Sequence, residues 1–206
     1  NTELKTFIKK KSHTIVKKRY IDSYRNNKLF KIEYINDKPI DRDLTEEIVN
    51  YLNEELPKYD LVMVGDFGHG FINDTIRKAL EKKSNFLCIN AQSNSANMGY
   101  NYINHYQKSD FIVMDDQEIR LPLMKRFEEI EEVIKEFHNK FSYNKFLVTM
   151  GKEGSLFFNN GTLQKAPILV DTVVDTVGAG DAVFALTSLL IKAEVDDELI
   201  PFIGNC

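Results

Sequence analysis

Asp171-Thr-Val-Val-Asp-Thr-Val-Gly-Ala-Gly-Asp-Ala-Val-Phe-Ala-Leu186 changes character twice within sixteen residues. Residues 168–174 are apolar and β-branched, as an extended segment should be. Gly178-Ala179-Gly180 then lets the backbone turn with almost no side chain in the way. From Asp181 onward, Ala182, Val183, Ala185, Leu186, Leu189 and Leu190 read as a buried helix running to about Lys192. A small-residue turn that feeds a helix N-terminus is an anion site, because its free N–H groups point outward and the helix dipole adds positive potential. Asp181 makes this version specific. A carboxylate beside such an anion hole can accept a proton from a hydroxyl while the amides hold a phosphoryl group. The same residue in isolation also reads as a plain helix cap.

Composition bounds the rest. A chain of 206 residues allows one large domain or one and a half, and 43% hydrophobic content is ordinary for a globular core. The net charge is -4 with no dominant basic block, which argues against nucleic acid as a partner. Lys9-Lys10-Lys11 and Lys17-Lys18-Arg19 are small clusters that read as a solvated face or a phosphate contact. Cys88 and Cys206 show no metal-ligand spacing, and Cys88 sits in an apolar run as a reduced core thiol would. No run is apolar and long enough to span a membrane and no signal peptide is visible, so a cytoplasmic location is the expectation. The chain opens on Asn1 and closes on Gly204-Asn205-Cys206, and we expect a fragment of a larger fold.

Taken in order, residues 14–22 and 28–35 are rich in β-formers and flank the turn residues Asn26-Asn27, a plausible hairpin. Asp43-Leu44-Thr45-Glu46 has the form of a capping box, with a helix to Leu56 that Pro57 stops. Leu61-Val-Met-Val64 is a continuous apolar run, as in a buried parallel strand, and ends at Gly65-Asp66-Phe67-Gly68-His69-Gly70. Ligands gather beyond the C-terminal ends of such strands, so Asp66 is either a hydroxyl-binding residue or a turn cap. A helix capped by Asn73 or Asp74 leads to the strand Phe86-Leu-Cys-Ile89. The amide-rich loop 90–97 that follows offers Asn90 and Gln92 to a polyol, or is an ordinary loop. A helix is expected over 100–106. Asp110-Phe-Ile-Val-Met114 is the next strand and ends in Asp115-Asp116-Gln117-Glu118, acids that suit an outer-sphere Mg²⁺ site or simply a helix N-terminus. Residues 127–141 read as an amphipathic helix. Lys145-Phe-Leu-Val-Thr149 and the strand 155–158 flank Met150-Gly151-Lys152-Glu153-Gly154, and Asn159-Asn160-Gly161 is a hairpin turn. Residues 196–203 should start another helix, interrupted by Pro201. Strands alternating with helices give an α/β sandwich with a mostly parallel sheet.

Asp175-Thr176-Val177-Gly178-Ala179-Gly180-Asp181 closely resembles the signature of the ribokinase/PfkB carbohydrate kinases. The resemblance spans the chain from about Thr14 onward, its most specific part being those seven residues. It implies a ribokinase-like three-layer sandwich over 1–206, truncated at the N-terminus and at the C-terminus too, with a β lid at 14–35. It implies Asp181 as catalytic base, the Gly178, Ala179 and Gly180 amides as anion hole, and Asp175 helping to hold a monovalent cation. Thr149, Gly151 and Gly154 resemble the segment that runs along the nucleotide. Asp115 and Glu118 stand where the family has Asn-x-x-Glu, whose Glu orders water around Mg²⁺. The segment from Asp66 to Gly70 is similar to the Asp-Tyr-x-Lys-Gly of the heptose-phosphate kinases of ADP-heptose synthesis, with His69 in place of Lys. Lys18 and Arg19 resemble the basic lid residues that meet a sugar phosphate there, and equally fit exposed charges on an edge strand.

The resemblance thus implies ATP and Mg²⁺ as cofactors and phosphorylation of a sugar or sugar-phosphate hydroxyl. It also implies a homodimer through the lid, and fusion to a nucleotidyltransferase domain in the full-length chain. The alternative is a nucleotide- or sugar-binding module without turnover. No Gly-x-x-x-x-Gly-Lys-Ser/Thr is present, which excludes a P-loop kinase.

Overall fold

The computed structural model describes residues 2–25, 27–169 and 177–206. Six strands form the main sheet: β3 (Val62–Asp66), β4 (Leu87–Ala91), β5 (Phe111–Asp115), β6 (Lys145–Thr149), β7 (Ser155–Asn159) and β8 (Thr162–Ala166). They lie in sequence order. The β3–β4, β4–β5 and β5–β6 pairs are parallel, whereas β6–β7 and β7–β8 are antiparallel. The β7–β8 turn uses Asn160 at φ 48 and Gly161 at φ 94, the left-handed pair that a two-residue hairpin loop demands.

The strand period of two sorts the core into two faces. Ile112 and Met114 of β5, Phe146 and Val148 of β6, and Leu156 and Phe158 of β7 point to one side. There they meet Ile48 of α1 (Arg42–Glu55), Ile76 and Leu80 of α2 (Asp74–Lys83), Ile119 of α3 (Asp116–Arg120), and Val133, Ile134 and Phe137 of α4 (Ile130–Phe141). Phe111, Val113, Leu147 and Phe157 point to the other side, against Phe184 and Ile191 of α5 (Ala179–Lys192) and Ile200 of α6 (Leu199–Gly204). Strands that advance one way across a sheet through right-handed crossovers must place their helices on one face. The opposite face is left for the C-terminal helices. Three layers result, as the sequence implied.

The small sheet is separate: β1 (Val16–Ile21) pairs antiparallel with β2 (Lys28–Tyr34). The basic segment before it is not patternless. Phe7 packs edge-on against Tyr51 of α1, ring centroids 5.4 Å apart, and Lys9 Nζ donates to the carbonyls of Asn36 and Lys38.

Several sequence expectations shift. The N-cap of α1 is Asp41, whose carboxylate accepts from Leu44 N at 2.9 Å, so the capping box does not start at Asp43. Between β4 and β5 there is only a single 3-10 turn, Ile103–His105, instead of a helix over 100–106. Asn97 and Asn101 spend their amides there on the carbonyls of Phe67, Gln92 and Asp66, which competes with helical hydrogen bonding. Helix α4 starts at Ile130 rather than 127. Pro201 does not interrupt α6, because it falls in the first turn, where no intrahelical donor is needed.

Phe146 is fully buried, stacked on Phe158 at 4.8 Å and edge-on to Phe137 at 5.3 Å. Phe146→Ala should cost about 3–5 kcal/mol in urea unfolding. Phe127→Ala, at a ring 86% exposed, should change stability by less than ~0.5 kcal/mol.

Candidate active site

In a parallel sheet every strand delivers its C-terminal end to the same edge. The pairings Asp66↔Ala91 and Asp115↔Thr149 bring the ends of β3 to β6 level with one another. The residue after β4 is Gln92, and its Nε2 donates to Asp181 Oδ1 at 3.0 Å. That bond joins the sheet edge to the N-terminus of α5, across 89 residues of sequence. Gly178 caps the helix at φ 84, a left-handed conformation that favours glycine, and no side chain caps it among the described residues. A Cβ added at Gly178 or Gly180 would meet nothing within 4 Å. Residues 178–181 are all exposed. Here the first-turn amides, the dipole and an exposed carboxylate share one place. Asp181 is not the N-cap, which removes the plain capping alternative. Asp175 lies outside the described residues.

The carboxylates at the neighbouring strand ends behave differently. Asp66 is 3% exposed; its Oδ1 accepts from Gly68 N at 3.0 Å and its Oδ2 from the Tyr106 hydroxyl at 2.9 Å. Arg77 Nη1 stands 3.9 Å from Oδ2. Of the two readings of Asp66, the turn cap is the one this geometry displays: the side chain is turned inward and organises the loop behind it. The burden it places on Tyr106 shows in that phenol, whose pKa burial and the Asp66 charge both push far upward. Asn90 is also turned inward: it is 6% exposed and its Nδ2 donates to Val113 O at 2.9 Å, tying β4 to β5.

Asp115 and Glu118 form a true capping box on α3. Asp115 Oδ1 accepts from Glu118 N at 2.7 Å, and Glu118 Oε2 accepts from Asp115 N at 2.9 Å. Glu118 Oε1 takes Ser93 N at 2.8 Å as well, so this buried carboxylate fixes the β4 loop to β5. Burial, with the Asp115 charge adding to it, pushes Glu118 up to about 7 despite the two amides that favour its ionised form. Among the described residues no group of three or more His, Cys, Asp or Glu could enclose a metal. Two carboxylates at one strand end are a donor set compatible with an outer-sphere role towards Mg²⁺, whose inner ligands would come from phosphates and water.

Thr149 ends β6 between Asp115 and Ser155. Gly151 has φ 55 and open space where a Cβ would stand, so a ligand can approach its backbone. Gly154 has a different reason to be glycine: at φ 89 its Cβ would lie 2.1 Å from Ala166 O. It seats β8 against the turn.

On the hairpin the two basic candidates part company. Lys18 shares a face with Tyr20, whose ring stacks on Phe30 at 4.5 Å, and this face carries exposed apolar groups. Lys17 and Arg19 share the opposite face. Lys17 Nζ lies 5.9 Å from the Phe67 ring centroid, and its pairing partner Glu33 accepts from Ser95 Oγ at 3.2 Å. Lys17, not Lys18, is the lysine of this run that faces Phe67 and the β4 loop. The period-two rule, applied inside Lys17-Lys18-Arg19, was the signal that could have separated them.

A cleft of about 370 Å³ opens beside this edge, lined by Gly68, Gly70, Asn73, Arg77, Asn97 and Tyr100 among others. Asp181 is not among its walls. The cleft's arginine, Arg77, is already matched by Asp66 and Asp74.

Two measurements test these roles. Asp66→Ala leaves a buried hydroxyl and amide without their acceptor and should lower unfolding stability by about 3 kcal/mol. For Glu118 the folded pKa of about 7 lies above its ordinary 4.5. The native state therefore binds more protons than the unfolded one between those values, and stability falls as pH rises through that window, by up to about 3 kcal/mol, and levels off above it. Urea unfolding from pH 4.5 to 8 in metal-free buffer should show this slope, and Glu118→Gln should flatten it.

A family model described as pfkB family carbohydrate kinase matches residues 34–190. The bifunctional protein HldE of Campylobacter jejuni (strain RM1221) is 25% identical over 157 residues, 74% of this chain and 33% of that protein. The chain spans about a third of the length of this relative and of the HldE of Helicobacter hepaticus (strain ATCC 51449 / 3B1). Ribokinase from Thermotoga maritima superposes with a TM-score of 0.66 at 16% identity, covering 93% of this chain and 61% of that one. Escherichia coli phosphofructokinase-2 in complex with potassium gives 0.72 at 10% identity, covering 91% and 61%. At these identities the structures show the ribokinase-like fold, and no helix among the described residues is long and apolar enough to cross a membrane. The model match covers the sheet, the capping-box acids and the Gly-Ala-Gly-Asp helix start together, and the chain belongs to the pfkB family of carbohydrate kinases.

Proposed function

We propose that this protein transfers the terminal phosphoryl group of ATP to a hydroxyl of a sugar or sugar phosphate. The observation that carries the reading is the Gln92–Asp181 hydrogen bond, which holds an exposed carboxylate beside the uncapped, side-chain-free N-terminus of α5. Asp181 accepts the proton of the acceptor hydroxyl as that oxygen bonds to phosphorus and ADP leaves. Gln92 orients the carboxylate. The amides of Gly178, Ala179 and Gly180 face the equatorial phosphoryl oxygens, where charge must be held without reorganisation. Gly151 leaves room for the nucleotide to run along the end of β6, with Thr149 beside it. When bound, Mg²⁺ supplies neutralisation of the phosphate charge, and Glu118 and Asp115 orient its water shell. A monovalent cation, the role the resemblance gives to Asp175, is the remaining cofactor of the reading.

Lys17 and Arg19, on the hairpin face that meets Phe67 and Ser95, supply positive charge for an acceptor that carries its own phosphate. The opposite face, with Phe30 and Ile32 exposed, suits pairing with a second copy through the hairpin. A nucleotidyltransferase domain on the same polypeptide agrees with a relative named as bifunctional and with the share of that relative matched.

A second reading, a nucleotide- or sugar-binding module without turnover, is favoured by one observation: both Glu118 oxygens are committed to backbone amides. ADP release across a panel of sugars and sugar phosphates separates the two. Wild-type protein should turn over at least one acceptor, and Asp181→Asn should lower kcat by at least about 10³-fold with ATP affinity kept. An Asp181→Asn enzyme at full rate would sink the assignment, and ATP binding without turnover on any acceptor would select the second reading.

A further inference from the structure

Buried polar atoms in this protein are almost all spoken for, and His69 stands out against that. Both its ring nitrogens are buried and neither has a hydrogen-bond partner among the described residues. Leaving a buried donor and a buried acceptor unmatched is unfavourable, so such a group calls for a reason.

The backbone around it is locked. Gly68 and Gly70 flank it at φ 65 and φ 75. A Cβ at Gly68 would lie 2.2 Å from Asn97 Nδ2, and one at Gly70 would lie 2.3 Å from Asp37 O. The Ile40 N–H donates to Gly70 O at 3.0 Å, and Asp66 Oδ1 takes the Gly68 amide. The ring is therefore held by a loop pinned on both sides, not carried on a loose turn.

Its surroundings belong to the hairpin as much as to the sheet. The charges that act on it are Lys17 and Glu33 from β1 and β2, and Asp37 and Asp66 from the segments that pin the loop. Lys17 lies over Phe67, and Glu33 bonds Ser95 of the β4 loop. His69 thus sits where the hairpin, the β3 loop and the β4 loop converge. Burial, with the Lys17 charge behind it, holds the imidazole below its ordinary pKa and so in the neutral form. A neutral imidazole offers one donor and one acceptor. A sugar hydroxyl, or two adjacent ones, presents the complementary pair.

We propose that His69 is a specificity-determining contact for the acceptor, its two ring nitrogens reading hydroxyl groups of a polyol bound beneath the β1–β2 hairpin. The inference names the substrate side of the phosphoryl-transfer reading and rests on it only for its kinetic arm. A site built to hydrogen-bond a hydroxyl rejects the analogue that lacks it, because its own buried groups are then left unpaired.

The test joins binding to kinetics. ¹⁵N-edited NMR of the histidine ring nitrogens, with His69→Phe assigning the signal among four histidines, follows titration with the sugar and sugar-phosphate panel. Kinetics compare wild type, His69→Phe and His69→Gln on the best acceptor and its mono-deoxy analogues. The expected result is a His69 ring shift with that acceptor. KM should rise at least about tenfold in His69→Phe with kcat within about threefold, and discrimination against one deoxy analogue should be lost. His69→Gln, which keeps a donor and an acceptor, should recover part of both and guards against a folding defect in His69→Phe. An acceptor phosphorylated with no His69 shift and an unchanged KM in His69→Phe overturns this inference and leaves the proposed function standing. A polyol that shifts His69 without ever being phosphorylated supports the contact and removes the phosphoryl transfer. Silence in both arms overturns both.

Discussion

Parallel strand pairing is the constraint on which the rest depends. Once β3 to β6 run the same way, their last residues must emerge together, and Asp66, Gln92, Asp115 and Thr149 become neighbours from four separate stretches of sequence. No side-chain chemistry chose that meeting. It follows from the hydrogen-bond ladder and from the helical crossovers that put α1 to α4 on one face. Helix α5 packs on the other face through Phe184 and Ile191 and brings its N-terminus up to the same edge. The Gln92–Asp181 bond joins the two halves of the layered fold at that edge.

The acids at that edge divide by burial. Asp66 and Glu118 are nearly inaccessible and give their oxygens to amides and a phenol. They make the loops rigid at the cost of their own availability. Asp181 is exposed and accepts from Gln92. Position at the sheet edge alone does not settle how open a carboxylate is. The number of donors already pointed at it does.

Much of this was legible in the sequence. Continuous apolar runs located the buried strands, β-forming runs on either side of Asn26-Asn27 located the hairpin, and Gly178-Ala179-Gly180-Asp181 carried enough constraint to be read locally, because a helix start needs only its own neighbours. Asp66 and Asn90 kept two readings each because the partners that turn them inward are far away in sequence: Tyr106 is 40 residues from Asp66, and Val113 is 23 from Asn90. A one-dimensional pattern gives a strand-end polar residue no direction. Lys17 and Lys18 were not separated for a simpler reason. In a strand, neighbours face opposite ways, and a run of three cations hides the alternation that apolar residues would have displayed. The missing helix over 100–106 belongs with these. Asparagines compete with the helix for backbone hydrogen bonds, and Asn97 and Asn101 won that competition through contacts to Phe67 and Asp66.

The β1–β2 pair is a sheet of its own, and none of its residues belongs to either core cluster. What links it to the strand ends is polar or cationic: Glu33 to Ser95, and Lys17 over Phe67. Such links weaken with salt and gain little from burial. The hairpin is therefore expected to open as a unit of its own, its amides exchanging with solvent before those of the six-stranded sheet.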